Sequence, residues 1–249
     1  MRVLTFDDVM PLDDLPRPRL DEMNDAGRRV LASERALAEA GSNVVAELLS
    51  SSEEFFQWDH YPAGDVFCPD SHAQYYYHSH PPDVRDNTWG DEHGHFHTFL
   101  RPGGFPMDVI AGETAECGPN TREQNPPAHL VAISMGFDGR AIRLFTTNRW
   151  VTGEAWYDAG VVTRLLPHFR IGHGNPSPET NEWVGAMLTL FQPTVEALLH
   201  ARDEVVSAYE TADAGVDVFD DKNLEVTSII NIDVDRQVAA VEAALRRLA

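Results

Sequence analysis

Apolar residues recur at helical spacing in three stretches of the chain. From Leu20 to Ala40, residues Met23, Gly27, Val30, Leu31, Leu37 and Ala38 share one helical face, and Gly41 supplies a terminator. Ser42 is placed to cap a short second helix running through Leu49. From Glu182 onward Val184, Met187, Leu188, Phe191, Val195, Leu198, Leu199, Val205, Val206 and Tyr209 keep the same period, and Pro193 must kink this long helix or split it. Near the end, Asp233 is expected to cap a helix carrying Val234, Val238, Val241, Leu245 and Leu248.

Between these stretches the pattern changes to that of strands. Phe55, Phe56, Trp58 and Tyr61 predict an aromatic strand leading into a Pro-Gly turn. Ala73 to His80 and His93 to Leu100 are β-rich and separated by a polar segment with Pro81, Pro82, Asn87 and Gly90, so they are expected to pair. Two further runs, His129 to Phe137 and Arg140 to Asn148, flank Asp138-Gly139, a strong signal for a tight hairpin turn. Leu224 to Ile232 is apolar enough for a buried strand. The expectation is an α+β fold: a mixed or antiparallel sheet with flanking helices and long C-terminal helices. The chain is read as one domain over 1–249, with N-terminal helices in 1–50, a histidine-rich β core in 51–150 and a mainly helical part with one strand in 151–249.

Composition narrows the partners. No apolar run approaches the roughly 20 residues that span a bilayer, and the N-terminus carries Asp7, Asp8, Asp13 and Asp14 where a signal peptide would be basic and then apolar, which predicts a cytoplasmic protein with no membrane partner. Forty acidic residues against nineteen basic ones give a formal charge of −21, which repels phosphate backbones and argues against a nucleic-acid partner. Cys68 and Cys117 lack the spacing of zinc, redox or haem-attachment motifs and are read as free thiols. No serine-hydrolase elbow, phosphate loop, dinucleotide fingerprint or HExxH helix is present.

The histidines supply the chemical signal, because five of the eleven fall between positions 78 and 97. In Glu92-His93-Gly94-His95-Phe96-His97, strand alternation would point three imidazoles to one side, and in Tyr77-His78-Ser79-His80 it aims two to a common face. Residues two apart on a strand are about 6.6 Å apart, so neighbouring rings can lean onto one ion, whereas the ends of a three-histidine row are about 13 Å apart and need a bend, which Gly94 would permit. Metal ligation also uses the neutral ring directly and relieves the need to find hydrogen-bond partners for so many ring nitrogens. The expected ligands are His78, His80, His93 and His95, with His97, Glu92 and Tyr77 as candidates for catalytic proton handling. Asp59, His60, Asp65, Asp70, His72 and Asp91 surround the rows, while His129, His168 and His173 are expected to be structural and His200 to lie on a helix surface. Arg101, Arg143, Arg149 and Arg170 could clamp a carboxylate or phosphate, and Thr147 to Glu154 has a composition suited to lining a pocket.

The pairs His78-Ser79-His80 and His93-Gly94-His95 resemble the metal chelate of cupin barrels, which adds a carboxylate and a further histidine. The likeness is confined to those pairs: Glu92 lies twelve positions beyond His80 rather than close behind it, and the C-terminal helices do not suit a simple cupin. The functional expectation is a metalloenzyme acting on a small molecule, with iron or copper redox chemistry ahead of a zinc-dependent hydrolase or lyase. A non-catalytic metal- or haem-binding protein is the alternative class.

Overall fold

The computed structural model describes residues 1–50, 52, 54–80, 91–110, 126–211 and 215–248. The polar connector at 81–90 and Cys117 lie outside the described residues. Seven strands form one mixed sheet: β1 (Arg2–Val3), β2 (Tyr61–Phe67), β3 (Ala73–His78), β4 (Glu92–Leu100), β5 (Ala128–Gly136), β6 (Ala141–Thr147) and β7 (Val226–Asn231). Their order across the sheet is β1-β7-β6-β5-β4-β3-β2, with β1 parallel to β7 and every other pair antiparallel. The sheet is open, with β1 and β2 at its edges, so the barrel of the cupin comparison does not form.

The helices are α1 (Arg17–Glu39), α2 (Val44–Leu49), α3 (Met107–Ile110), α4 (Arg149–Thr152), α5 (Ala159–Leu165), α6 (Pro178–Leu190), α7 (Gln192–Ala208) and α8 (Val234–Arg247). The fold is therefore α+β, as the periodicities predict. In α1 the buried stripe is Leu20, Met23, Ala26, Gly27, Val30, Ser33 and Leu37, while Ala38 is exposed. A Cβ at Gly27 would stand 2.9 Å from Val238 Cγ2, so glycine lets α1 approach α8 closely. The cap of α2 is Asn43 rather than Ser42, its side-chain oxygen accepting from the backbone N–H groups of Val45 and Ala46 at 3.0 Å each. Pro193 splits the long C-terminal helix: α6 ends before Phe191 and α7 starts at Gln192, where the missing N–H of proline costs nothing in the first turn. Asp233 caps α8 through Arg236 N–H at 2.9 Å, with Val238 and Val241 buried and Leu245 packed at the edge of the core; Leu248, past the helix end, is exposed.

The hairpin at Asp138-Gly139 joins β5 to β6 with a three-residue loop rather than a two-residue one. Gly136 N–H donates to Arg140 O at 2.8 Å, Gly139 N–H donates to Gly136 O at 3.0 Å, and Gly139 has φ +78, the arrangement of a turn closed by a left-handed residue. The aromatic run at 55–61 is not a strand. Phe55, Phe56 and Trp58 are exposed, Trp58 takes φ +75, and β2 begins only at Tyr61 and carries its own irregularity at Gly64 and Asp65. Hydrophobic pattern misled there because the rings stack locally, Phe55 on Tyr61 at 5.3 Å, instead of pairing across a ladder.

One face of β3 and β4 packs on the helices. Tyr75 donates to Asn181 of α6 at 2.6 Å, and Phe96 meets Trp183 of α6 at 5.6 Å. The opposite face of the same strands carries the histidines.

Candidate metal centre

The register of β3 on β4 sets His78 opposite His95, Tyr76 opposite His97 and Gln74 opposite Phe99. On the other flank β5 sets Ser134 opposite His95, Ala132 opposite His97 and His129 opposite Phe99. Strand alternation therefore delivers His78, His95, His97 and His129 to one side of the sheet. Ring centroids are 4.5 Å apart for His78 and His95, 4.8 Å for His95 and His97, and 5.4 Å for His78 and His97. One nitrogen from each of these three rings lies within 4.8 Å of the other two. His78 Nε2 and His95 Nε2 are 2.8 Å apart. Two nitrogens bound to one ion at about 2.0–2.1 Å stand roughly 2.9 Å apart at a right angle, so this pair already has nearly the spacing of adjacent ligands.

His93 departs from the expected row. An irregularity in the β4–β5 pairing between Glu92 and Gly94 reverses the alternation, which places Glu92 beside His95 and turns His93 to the helix side. Its Nδ1 meets Tyr77 Oη at 2.5 Å, and its ring packs against Phe55 and Phe137. Burial lowers the His93 pKa, and burial with the nearby Glu92 charge raises that of Tyr77, so a phenol O–H donates to a neutral imidazole. Only glycine fits at position 94, because a Cβ there would fall 2.4 Å from Tyr77 Oη and 2.5 Å from His78 O. His80 follows the end of β3 and stays beside the cluster, its ring 4.8 Å from His78 and 5.3 Å from His95, with Trp58 edge-on at 4.3 Å.

Groups behind the cluster orient it. Glu92 Oε1 lies 2.8 Å from His95 Nδ1, and Glu92 Oε2 accepts from the Ser134 hydroxyl. A carboxylate on Nδ1 fixes the tautomer in which Nδ1 carries the proton, so His95 Nε2 points its lone pair toward the cluster. His97 Nδ1 lies 3.0 Å from His129 Nε2. His129 in turn donates its backbone N–H to Glu154 Oε2 at 2.9 Å. Burial, with the Arg202 charge, pushes the His129 pKa down to about 3, so its ring is neutral. Burial pushes Glu154 up to about 7, against the opposing pull of Arg202 and the His129 N–H.

His95 and His97 are 1% exposed each, so the cluster is not a solvated face. It is bordered on one side by the buried apolar group Ala132, Phe145, Val226 and Ile229, with Phe145 edge-on to His95 at 5.2 Å. On the other side His60 lies flat on Tyr76 at 3.6 Å and bonds Asp65 Oδ1 through Nδ1 at 2.9 Å. Thr147 to Glu154 does line a cleft, through Val151, Thr152 and Gly153, and sends Glu154 into the interior. His129 and Glu154 are the residues that sequence reasoning passed over. The signal for His129 is its parity with His97 across the β4–β5 pair, which exists only once that pairing is known.

Comparison with known proteins places the chain. The model of a family described as a domain of unknown function, DUF6969, matches residues 24–232. The chain belongs to that family. The matched stretch contains His60, His78, His80, His95, His97 and His129, so the whole cluster lies within the family domain. Neither the curated proteins nor the solved structures searched gave a match. No helix among the described residues is long and apolar enough to cross a membrane.

Proposed function

We propose that this chain is a metal-dependent enzyme in which His78, His95 and His97 hold one first-row transition ion, and that it carries out redox chemistry on a small molecule with iron or copper. The observation that carries the reading is the convergence of three ligand nitrogens within 4.8 Å on a buried sheet face. Three neutral imidazoles suit iron, copper or zinc and leave coordination positions for a reactant. Glu92 orients His95, and His129 orients His97 by engaging Nδ1 so that Nε2 is the atom offered to the ion. His97, expected from sequence as a proton carrier, thus acts as a ligand, and Glu92 acts through His95. His80 stands at the edge of the site within reach of a bound reactant, while Tyr77 and His93 support the strand from behind.

The Glu92–His95 pair is also the carboxylate–histidine arrangement that accompanies catalytic zinc, which favours a zinc-dependent hydrolase or lyase as the second reading. Burial of His95 and His97 speaks against a shallow site for exchanging metal with a partner.

Elemental analysis of the purified protein, combined with optical and electron paramagnetic resonance spectra and oxygen uptake, tests the proposal. Bound iron or copper with a redox-sensitive spectrum is the expected result. Stoichiometric zinc in a colourless protein would select the hydrolase or lyase reading, and a protein that retains no transition metal after loading would overturn both.

A further inference from the structure

A cleft of about 380 Å³ opens beside the histidines and is lined by His60, Asp65, Gln74, Tyr76, Phe99 and Arg101, among other residues. That volume falls in the range of small-molecule sites, roughly 300–1,000 Å³. Its inner wall is a ring pair, Tyr76 on Phe99 at 5.6 Å and 27°. Both rings also touch His97, at 5.2 Å and 6.2 Å between centroids, so the wall runs directly into the candidate metal centre.

The polar side chains of the cleft form one hydrogen-bonded chain. Arg101 Nε donates to Gln74 Oε1 at 2.6 Å, Gln74 Nε2 donates to Asp65 Oδ2 at 2.6 Å, and Asp65 Oδ1 meets His60 Nδ1 at 2.9 Å. Asp65 is thereby engaged through both oxygens. Arg101 is also held by Phe67, its Cζ 6.0 Å from the ring centroid. Gln74 stands opposite Phe99, so a guanidinium bonded to Gln74 leans back along the strand toward His97. A fixed cation thus closes one end of an aromatic-walled cleft whose other end is the histidine cluster.

We infer that this cleft binds a small planar carboxylate, with its carboxylate on the Arg101 guanidinium and its flat body against Tyr76 and Phe99. The opposite end then faces His78, His95 and His97. Only that last element rests on the proposed metal reading; recognition of the acid does not. A planar guanidinium matches a carboxylate in two parallel hydrogen bonds, and aromatic walls favour a flat, conjugated body. A single arginine in a chain of formal charge −21 suits a monoanion better than a phosphate dianion.

Calorimetric titration with benzoate and with benzamide, its neutral counterpart of the same shape, tests this on the full chain. Benzoate is expected to bind about tenfold or more tightly than benzamide, Arg101→Gln to erase that ratio, and Arg101→Lys to keep part of it, with thermal melts confirming that both variants fold. Equal affinity for the two probes, an unchanged ratio in folded Arg101→Gln, or no benzoate binding to the wild-type protein would overturn the inference. Running the titration on metal-free and metal-loaded protein separates the two proposals. A benzoate preference in a protein that never takes up metal would refute the metal centre and leave the cleft standing.

Discussion

Strands β3 and β4 present two faces that are both buried and are stabilised in different ways. Toward the helices, Tyr75, Tyr77 and Phe96 are fully buried against α6, and Tyr75 closes its hydroxyl on Asn181. That face is held by removal of apolar surface from water, with each polar atom given a partner. Away from the helices, the same alternation buries His95, His97 and His129 together with Glu154, and Glu92 is bonded to His95 beside them. Imidazoles and carboxylates gain little from burial and cost stability unless their nitrogens and oxygens are engaged. The helix face accounts for the fold, and the histidine face is a polar arrangement whose burial is justified by what it holds.

Substitutions on the two faces should therefore fail differently. The largest effect is expected from His95→Ala, which should abolish metal retention while leaving a cooperative melt, because the core lies on the other side of the sheet; metal analysis of the folded variant reads this. A variant that keeps full occupancy would remove His95 from the ligand set. Phe96→Ala, one residue along, should do the reverse: a loss of about 3–5 kcal/mol in denaturant melts with metal still bound by the folded fraction.

Glu154 gives the histidine face a pH signature. Its folded-state pKa of about 7 lies above the ordinary 4.5, so the folded protein holds this proton more tightly than the unfolded chain. Its contribution is present at low pH and is lost as pH rises from about 4.5 to about 7, amounting to about 3 kcal/mol across that window. Comparing melts of wild type and Glu154→Gln near both ends should show the difference closing at low pH and opening at neutral pH in favour of the variant. Parallel curves would contradict the buried-acid account. Glu92→Gln should weaken metal binding about 10–100-fold by loosening the orientation of His95. The smallest effect, about 1 kcal/mol, belongs to Asp233→Ala at the cap of α8. It should leave metal content untouched, since that cap serves only the helix layer.

The features legible in the sequence are those fixed by local chemistry. The stripe of α1, the split at Pro193, the Asp233 cap and the Asp138-Gly139 hairpin all depend on a few neighbouring residues. The convergence of His78 with His95 also followed from alternation on two paired strands. What was not legible depends on contacts between strands. The irregularity beside Gly94 answers the bulk of Tyr77 on the next strand, and it turned His93 away although its spacing matches His95 and His97. His129 joins the cluster only through the register of β5 on β4, and the buried Glu154 only through its bond to His129. The aromatic run near Phe55 has strand composition but no strand to pair with at those positions.

X-ray absorption at the edge of the bound metal tests the central claim most directly. The account predicts a first shell containing three imidazole nitrogens at about 2.0–2.1 Å, with the multiple-scattering pattern of histidine rings, falling to two in His78→Ala. A shell dominated by carboxylate or water oxygen, or one unchanged in both His78→Ala and His97→Ala, would contradict it.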